Sequence, residues 1–217
     1  MKGLLIKDFK LMKEQKNFLL IILIITIGMS LFTNDLSFAL GFLTFIVSLF
    51  SLSTISYDEF DNGNAFLFTL PITRSKYVIE KYYLSMILGI GSWILSICII
   101  SIVNIFRNLL PFSDVLMTAL FILPFMLLIQ AIMIPFQLKF GGEKGRIAII
   151  ASIGALLLSG IVLVKIASFF NIDIIFILNH LPVVSMGMLV SILVIVAGML
   201  WFISLKISMS IMNKKEF

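Results

Sequence analysis

Histidine and cysteine each occur once in these 217 residues, as His180 and Cys98. A structural or catalytic zinc needs three or four nitrogen, sulfur or carboxylate ligands, and neither residue has a second of its kind nearby, so a metal site of that class is excluded. A lone cysteine also rules out an intrachain disulfide. Charge is almost as scarce, at 12% of residues against 61% hydrophobic. The resulting mean hydropathy of +1.18 leaves a soluble domain too little polar surface to cover itself. The composition is that of a polytopic membrane protein.

Uncharged runs extend from Asn17 to Asn34, Leu36 to Tyr57, Tyr82 to Phe106, Val115 to Leu138, Ile147 to Val164 and Ile174 to Leu205. A helix needs about 20 residues to cross the hydrocarbon, so the pattern predicts an all-α single domain over 1–217 with six transmembrane helices. The alternation of a β-barrel is missing. Pro182 divides the last run into an outer segment, Phe169 to Leu181, and a helix from about Val183 to Leu205. With six spans both termini share a side. All of the 16 Lys and Arg except Arg107 and Lys165 fall on that side, which the positive-inside bias makes cytoplasmic. The basic excess is therefore topological, and no nucleic-acid site is read into it. Because the first apolar run begins only after residue 16 and lacks a small-x-small pattern at its far end, it is expected to stay as a span rather than be cleaved.

Catalytic patterns are missing as well. The nearest glycine cluster, GGEKGR at Gly141 to Arg146, has neither the spacing nor the Ser or Thr of a phosphate-binding loop, so the chain is not expected to bind ATP itself. His180 sits beside Pro182 at a helix margin, where it reads as interfacial rather than as the partner of a buried serine. Asp58, Glu59 and Asp61 read as a solvated helix start. No acid or base falls near mid-membrane, where proton or sodium coupling would need one. Lys165 is close enough to the outer edge to snorkel. Gln130 and Asn104 are the deepest strongly polar side chains, and Gln130 reads first as an interhelical hydrogen-bond partner, second as a cavity contact. Pro124 and Pro135 should kink the fourth span and shape a cavity or gate near Gln130. Ala151, Ala155 and Ser159 form a small-residue stripe that suits a dimer interface or intrachain packing equally.

Two polar stretches stand out. The opening MKGLLIKDFKLMKEQK places Leu5, Phe9 and Met12 on one helical face and its lysines mostly opposite, as in an amphipathic helix lying at the interface beside anionic lipid. It serves either as a topology anchor or as an elbow, residues 1–16, that couples motion to the first span. The second stretch, YDEFDNGNAFLFTLPITRSKY, lies in the 57–81 loop. Asp61 or Asn62 can cap a short helix, Phe66, Leu67 and Phe68 supply anchors, Pro71 ends it, and Thr73 or Ser75 caps the next span. Phe66 and Phe68 either fit a groove in a soluble partner or dip into lipid or pack under the bundle.

The opening, the SYDEFDNGNAFLFTLPITRSKYVIEKY segment and six spans with short loops resemble the membrane subunits of ABC exporters, the ABC type 2 permeases. The likeness covers the whole layout and is most specific at residues 54–82. Within that family the chain is most similar to permeases of Gram-positive exporters of amphipathic peptides, including the phenol-soluble modulin exporter. The resemblance implies a bacterial plasma-membrane half-transporter: a permease homodimer with two copies of a separately encoded cytoplasmic ATPase, which carries the ATP and magnesium. It also implies that Glu59 to Leu70 forms the coupling helix, with Glu59, Phe66, Leu67 and Phe68 at the ATPase and Arg74 and Lys76 flanking it. The lack of a sizeable outer domain favours hydrophobic or amphipathic peptide cargo. A membrane scaffold or sensor that recruits a partner without transport is the alternative.

Overall fold

The computed structural model describes residues 2–60, 63–169 and 185–215, with the side chains of 143–164 and 166–169 outside the description. Every element among them is helical: α1 (Lys2–Glu14), α2 (Lys16–Phe32), α3 (Leu36–Ser48), α4 (Phe50–Glu59), α5 (Gly63–Leu67), α6 (Arg74–Arg107), α7 (Phe112–Phe169) and α8 (Met186–Lys214). Among the described residues four helical stretches are long and apolar enough to cross a membrane: Leu36–Glu59, Arg74–Arg107, Phe112–Gly142 and Met186–Lys214. A fifth is reached only if α1 and α2, bent by 65° at Gln15, count as one span. The 17 residues of α2 rise about 25 Å at 1.5 Å each, the short end of what crosses a roughly 30 Å hydrocarbon core. The expected span at 147–164 falls on the far limb of α7, where no side chain but Lys165 is described, and the outer segment 169–181, with His180 and Pro182, lies outside the described residues but for Phe169 at the end of α7. The final helix starts at Met186, where the Ser185 side chain accepts from the Met188 amide, and runs past the expected Leu205 to Lys214.

Two breaks in the long helices follow from local chemistry. Between α3 and α4, Ser48, Ser51 and Thr54 each donate to the carbonyl three residues back, at 3.0, 3.1 and 2.8 Å, and such back-bonding bends a helix. In α7 both prolines sit inside the helix. The helical dihedrals fail at Gly141, in the connection expected between the Val115–Leu138 and Ile147–Val164 runs, with φ 78° and ψ 179°, a conformation that only glycine adopts without strain.

Small polar residues fasten the helices to one another. Thr44 meets Ser96 at 3.1 Å, Trp93 donates to the Ala119 carbonyl, Tyr82 lies within 2.6 Å of Ser204 and 2.8 Å of Ser208, and the Ser204 hydroxyl also contacts the Ala131 carbonyl oxygen. Without a hydrophobic force between helices in lipid, such bonds and close packing hold a bundle together. Large apolar residues such as Ile24, Phe32, Ile105 and Phe202 meanwhile face outward. Two arginines mark opposite ends. Arg107 donates to the carbonyls of Ser30 and Thr33 at the end of α2, and Arg74 donates to those of Met212 and Asn213 at the end of α8. Each supplies a cation to unsatisfied carbonyls at a helix C-terminus.

Candidate functional site

At the end of the bundle that carries Arg74, four segments converge: α1, the α4–α5–α6 connection, the bend of α7 and the tail of α8. The short helix α5 is held from below. Gly63 sits so close to the Asp58 carbonyl that an added Cβ would lie 2.8 Å from that oxygen, which requires glycine. Leu67 is buried in the core, and Phe68 packs against that core, edge-on to Tyr77 with ring centroids 5.7 Å apart. Phe66 points the other way and is 71% exposed. The predicted aromatic pair therefore divides: one phenylalanine anchors and the other is presented. Pro71 follows the helix, and Thr73, rather than Ser75, caps α6 by accepting from the Lys76 amide.

Behind α5 lies a buried ion network that the sequence reading missed. Lys81 is fully buried and bridges Asp8 of α1 and Asp58 of α4, the latter at 2.8 Å, while also donating to Thr54 at 3.0 Å. Lys7 pairs with Asp58 as well, and with Asp8 at 3.1 Å. The Tyr77 hydroxyl donates to Asp58 at 3.1 Å. Glu80, buried beside Lys81 at 3.9 Å, has both carboxylate oxygens without a hydrogen-bond partner. Two lysines thus hold two carboxylates, with a third acid at the margin. Lys7 belongs to α1, which precedes the apolar spans. Burial works against its charge, but the Asp58 carboxylate, bonded to it, and Asp8 outweigh burial and raise its pKa above the ordinary lysine value.

Asp58 is accordingly no solvated helix-start acid, because tertiary packing brings Lys7 and Lys81 onto it. Asp61 lies outside the described residues. Glu59 pairs with Lys215 at 2.7 Å and faces the α7 bend, its second oxygen 3.1 Å from where a Gly141 Cβ would sit. Lys76 is exposed, whereas Arg74 is engaged on the end of α8. In α1 the buried positions are Leu4 and Asp8; Leu5 and Met12 pack on Phe50, Leu84 and Leu88, and Phe9 stays exposed. Gln130, in the bundle core, donates to the Ser85 carbonyl at 2.9 Å, which is the interhelical role read first. Pro124 is buried and Pro135 half-buried on the same helix. Part of the signal for the network was available in retrospect: Asp58 and Lys81 flank the apolar runs that end at Tyr57 and begin at Tyr82, whereas Asp8, within the lysine-rich opening, gave none.

The ABC-2 family transporter protein model matches residues 3–213. The chain belongs to that family. It is thus a membrane-embedded permease component of an ABC transporter, which agrees with the all-helical fold and the apolar spans. No curated protein and no solved structure matches it.

Proposed function

We propose that this ABC-2 permease is the transmembrane half of an ATP-driven exporter of hydrophobic or amphipathic peptides. In this reading it works in the bacterial plasma membrane as a homodimer, with both termini and the 57–81 loop in the cytoplasm, and with two copies of a separate ATPase that binds ATP and magnesium. The observation that carries the reading is the division of labour at α5: Phe66 exposed at the tip, Leu67 buried in the core and Phe68, just past the helix, packed against it. A groove on a soluble subunit would grip the first and push on the other two. Phe68 bears on Tyr77, Tyr77 on Asp58, and Asp58 with Lys81 on Asp8 of α1. A push on α5 therefore reaches the 65° elbow and α2 through continuous contacts.

Affinity purification from native membranes in mild detergent tests this. A near-stoichiometric subunit carrying a phosphate-binding loop is expected to co-purify, to hydrolyse ATP faster when amphipathic peptide is added, and to be lost with Phe66→Asp. Recovery of the intact permease without such a subunit, under conditions that preserve another ABC exporter complex, would favour the scaffold instead.

A further inference from the structure

A groove of about 400 Å³ runs between α2, α3 and α6, lined by Leu19, Leu23, Leu43, Leu88 and Gly91 among other apolar residues. Among the described residues no charged side chain lines it, and the hydroxyl in its wall, Ser92, is taken up by the carbonyls of Gly89 and Thr44. Only hydrocarbon suits such a surface. The groove has a charged mouth, however. Lys16 precedes Leu19 by three residues and Leu23 by seven, which sets all three on one face of α2 with the lysine at its N-terminal end. Lys13 ends α1 just before the elbow. Both are exposed and, like Lys10 and Lys76, form no ion pair among the described residues, with the exposed Glu14 between them; what sets them apart is their place at the end of the groove-lining face of α2.

We propose that this groove is a discrete site for one anionic phospholipid, with an acyl chain along the leucines and Gly91 and the phosphate on Lys13 and Lys16. The charge pattern selects the occupant. A second copy of the chain docked here about a two-fold axis would bring the two lysine pairs together with a single carboxylate, Glu14, beside each, and a cationic peptide would meet the same net repulsion. A lipid with a neutral headgroup would fill the groove but leave the lysines unmatched.

The test uses the full-length permease in nanodiscs containing phosphatidylglycerol and phosphatidylcholine, each in turn carrying a photoreactive group on one acyl chain. Crosslinks are expected to saturate and to concentrate on residues 19–23 and 87–91, with phosphatidylglycerol preferred. Replacing Lys13 and Lys16 together by glutamine should reduce that preference roughly 30-fold, taking about 1 kcal/mol per lysine at an anionic lipid and tenfold per 1.4 kcal/mol. Lys10→Gln on the same arm is the control. Gly91→Leu should abolish the groove crosslinks by filling the groove, since nothing lies within 4 Å of an added Cβ there, and an unchanged thermal melt of that variant shows that the fold is kept. Crosslinks spread evenly over the outer surface and indifferent to Gly91→Leu would overturn the proposal. So would a headgroup preference that survives loss of both lysines, or chain-to-chain crosslinks formed through the groove in place of lipid.

Discussion

Lys81 is the side chain on which the basic end of the molecule depends. Removing one member of a buried, hydrogen-bonded charge group leaves the others uncompensated and costs about 3–5 kcal/mol, so Lys81→Met should lower detergent-state stability by that order. Adding Asp8→Asn to Lys81→Met should recover part of the loss, because the second change removes an orphaned charge. Thermal unfolding of the two single variants and the double variant measures this, and a neutral Lys81→Met would show that the network carries no stability. The charges themselves are plain in the sequence. Their pairing is not, since Asp8 and Lys81 are 73 positions apart and nothing in local periodicity joins them.

For the helices, the sequence gives existence more reliably than bounds. Long apolar runs dictate α6 and α8, and Thr73 and Ser185 cap them as short hydroxyl side chains do elsewhere. The break of α7 at Gly141 falls in the 139–146 connection that the sequence places between the Val115–Leu138 and Ile147–Val164 runs. The proline rings remain inside helical backbone, and the break falls where Glu59 approaches and glycine permits a positive φ. Gly141→Ala should therefore destabilise the protein by about 1–3 kcal/mol, the cost of holding an L side chain at positive φ with ψ near 180°, while Gly28→Ala, in open space within α2, should not. Comparing the two melting temperatures separates backbone strain from a general intolerance of substitution. Arg107→Leu should cost about 0.5–1.5 kcal/mol by removing the donor from the part-buried Ser30 carbonyl and the exposed Thr33 carbonyl at the end of α2, and hydrogen exchange at 30–34 should rise selectively.

At the scale of the whole molecule, both terminal segments and the 57–81 connection meet at one end, tied by Lys7 to Asp58, Lys215 to Glu59 and Arg74 to α8. If that end is cytoplasmic, a membrane-impermeant thiol reagent applied to intact cells should label Asn34→Cys but not Lys76→Cys in a Cys98→Ser background, and the reverse should hold in inverted vesicles. Labelling of Lys76→Cys from outside the cell would invert the proposed topology. In the same background Phe66→Asp should leave insertion unchanged and abolish peptide-stimulated ATP hydrolysis.

The sequence by itself determined the class, because apolar runs of this length have no other stable home than a bilayer, and it marked α1 and the 57–81 segment as the polar exceptions. It also showed that the chain has no phosphate-binding loop. Which exceptions are surface and which are core was decided only by tertiary structure. Phe66 and Phe68 look alike two positions apart, yet the turn of α5 sends one outward and the other onto Tyr77. Asp58 and Glu59 are neighbours, yet one joins Lys81 in the interior and the other reaches the tail. Burial and pairing depend on what folds back from distant parts of the chain, and a local pattern carries no record of that.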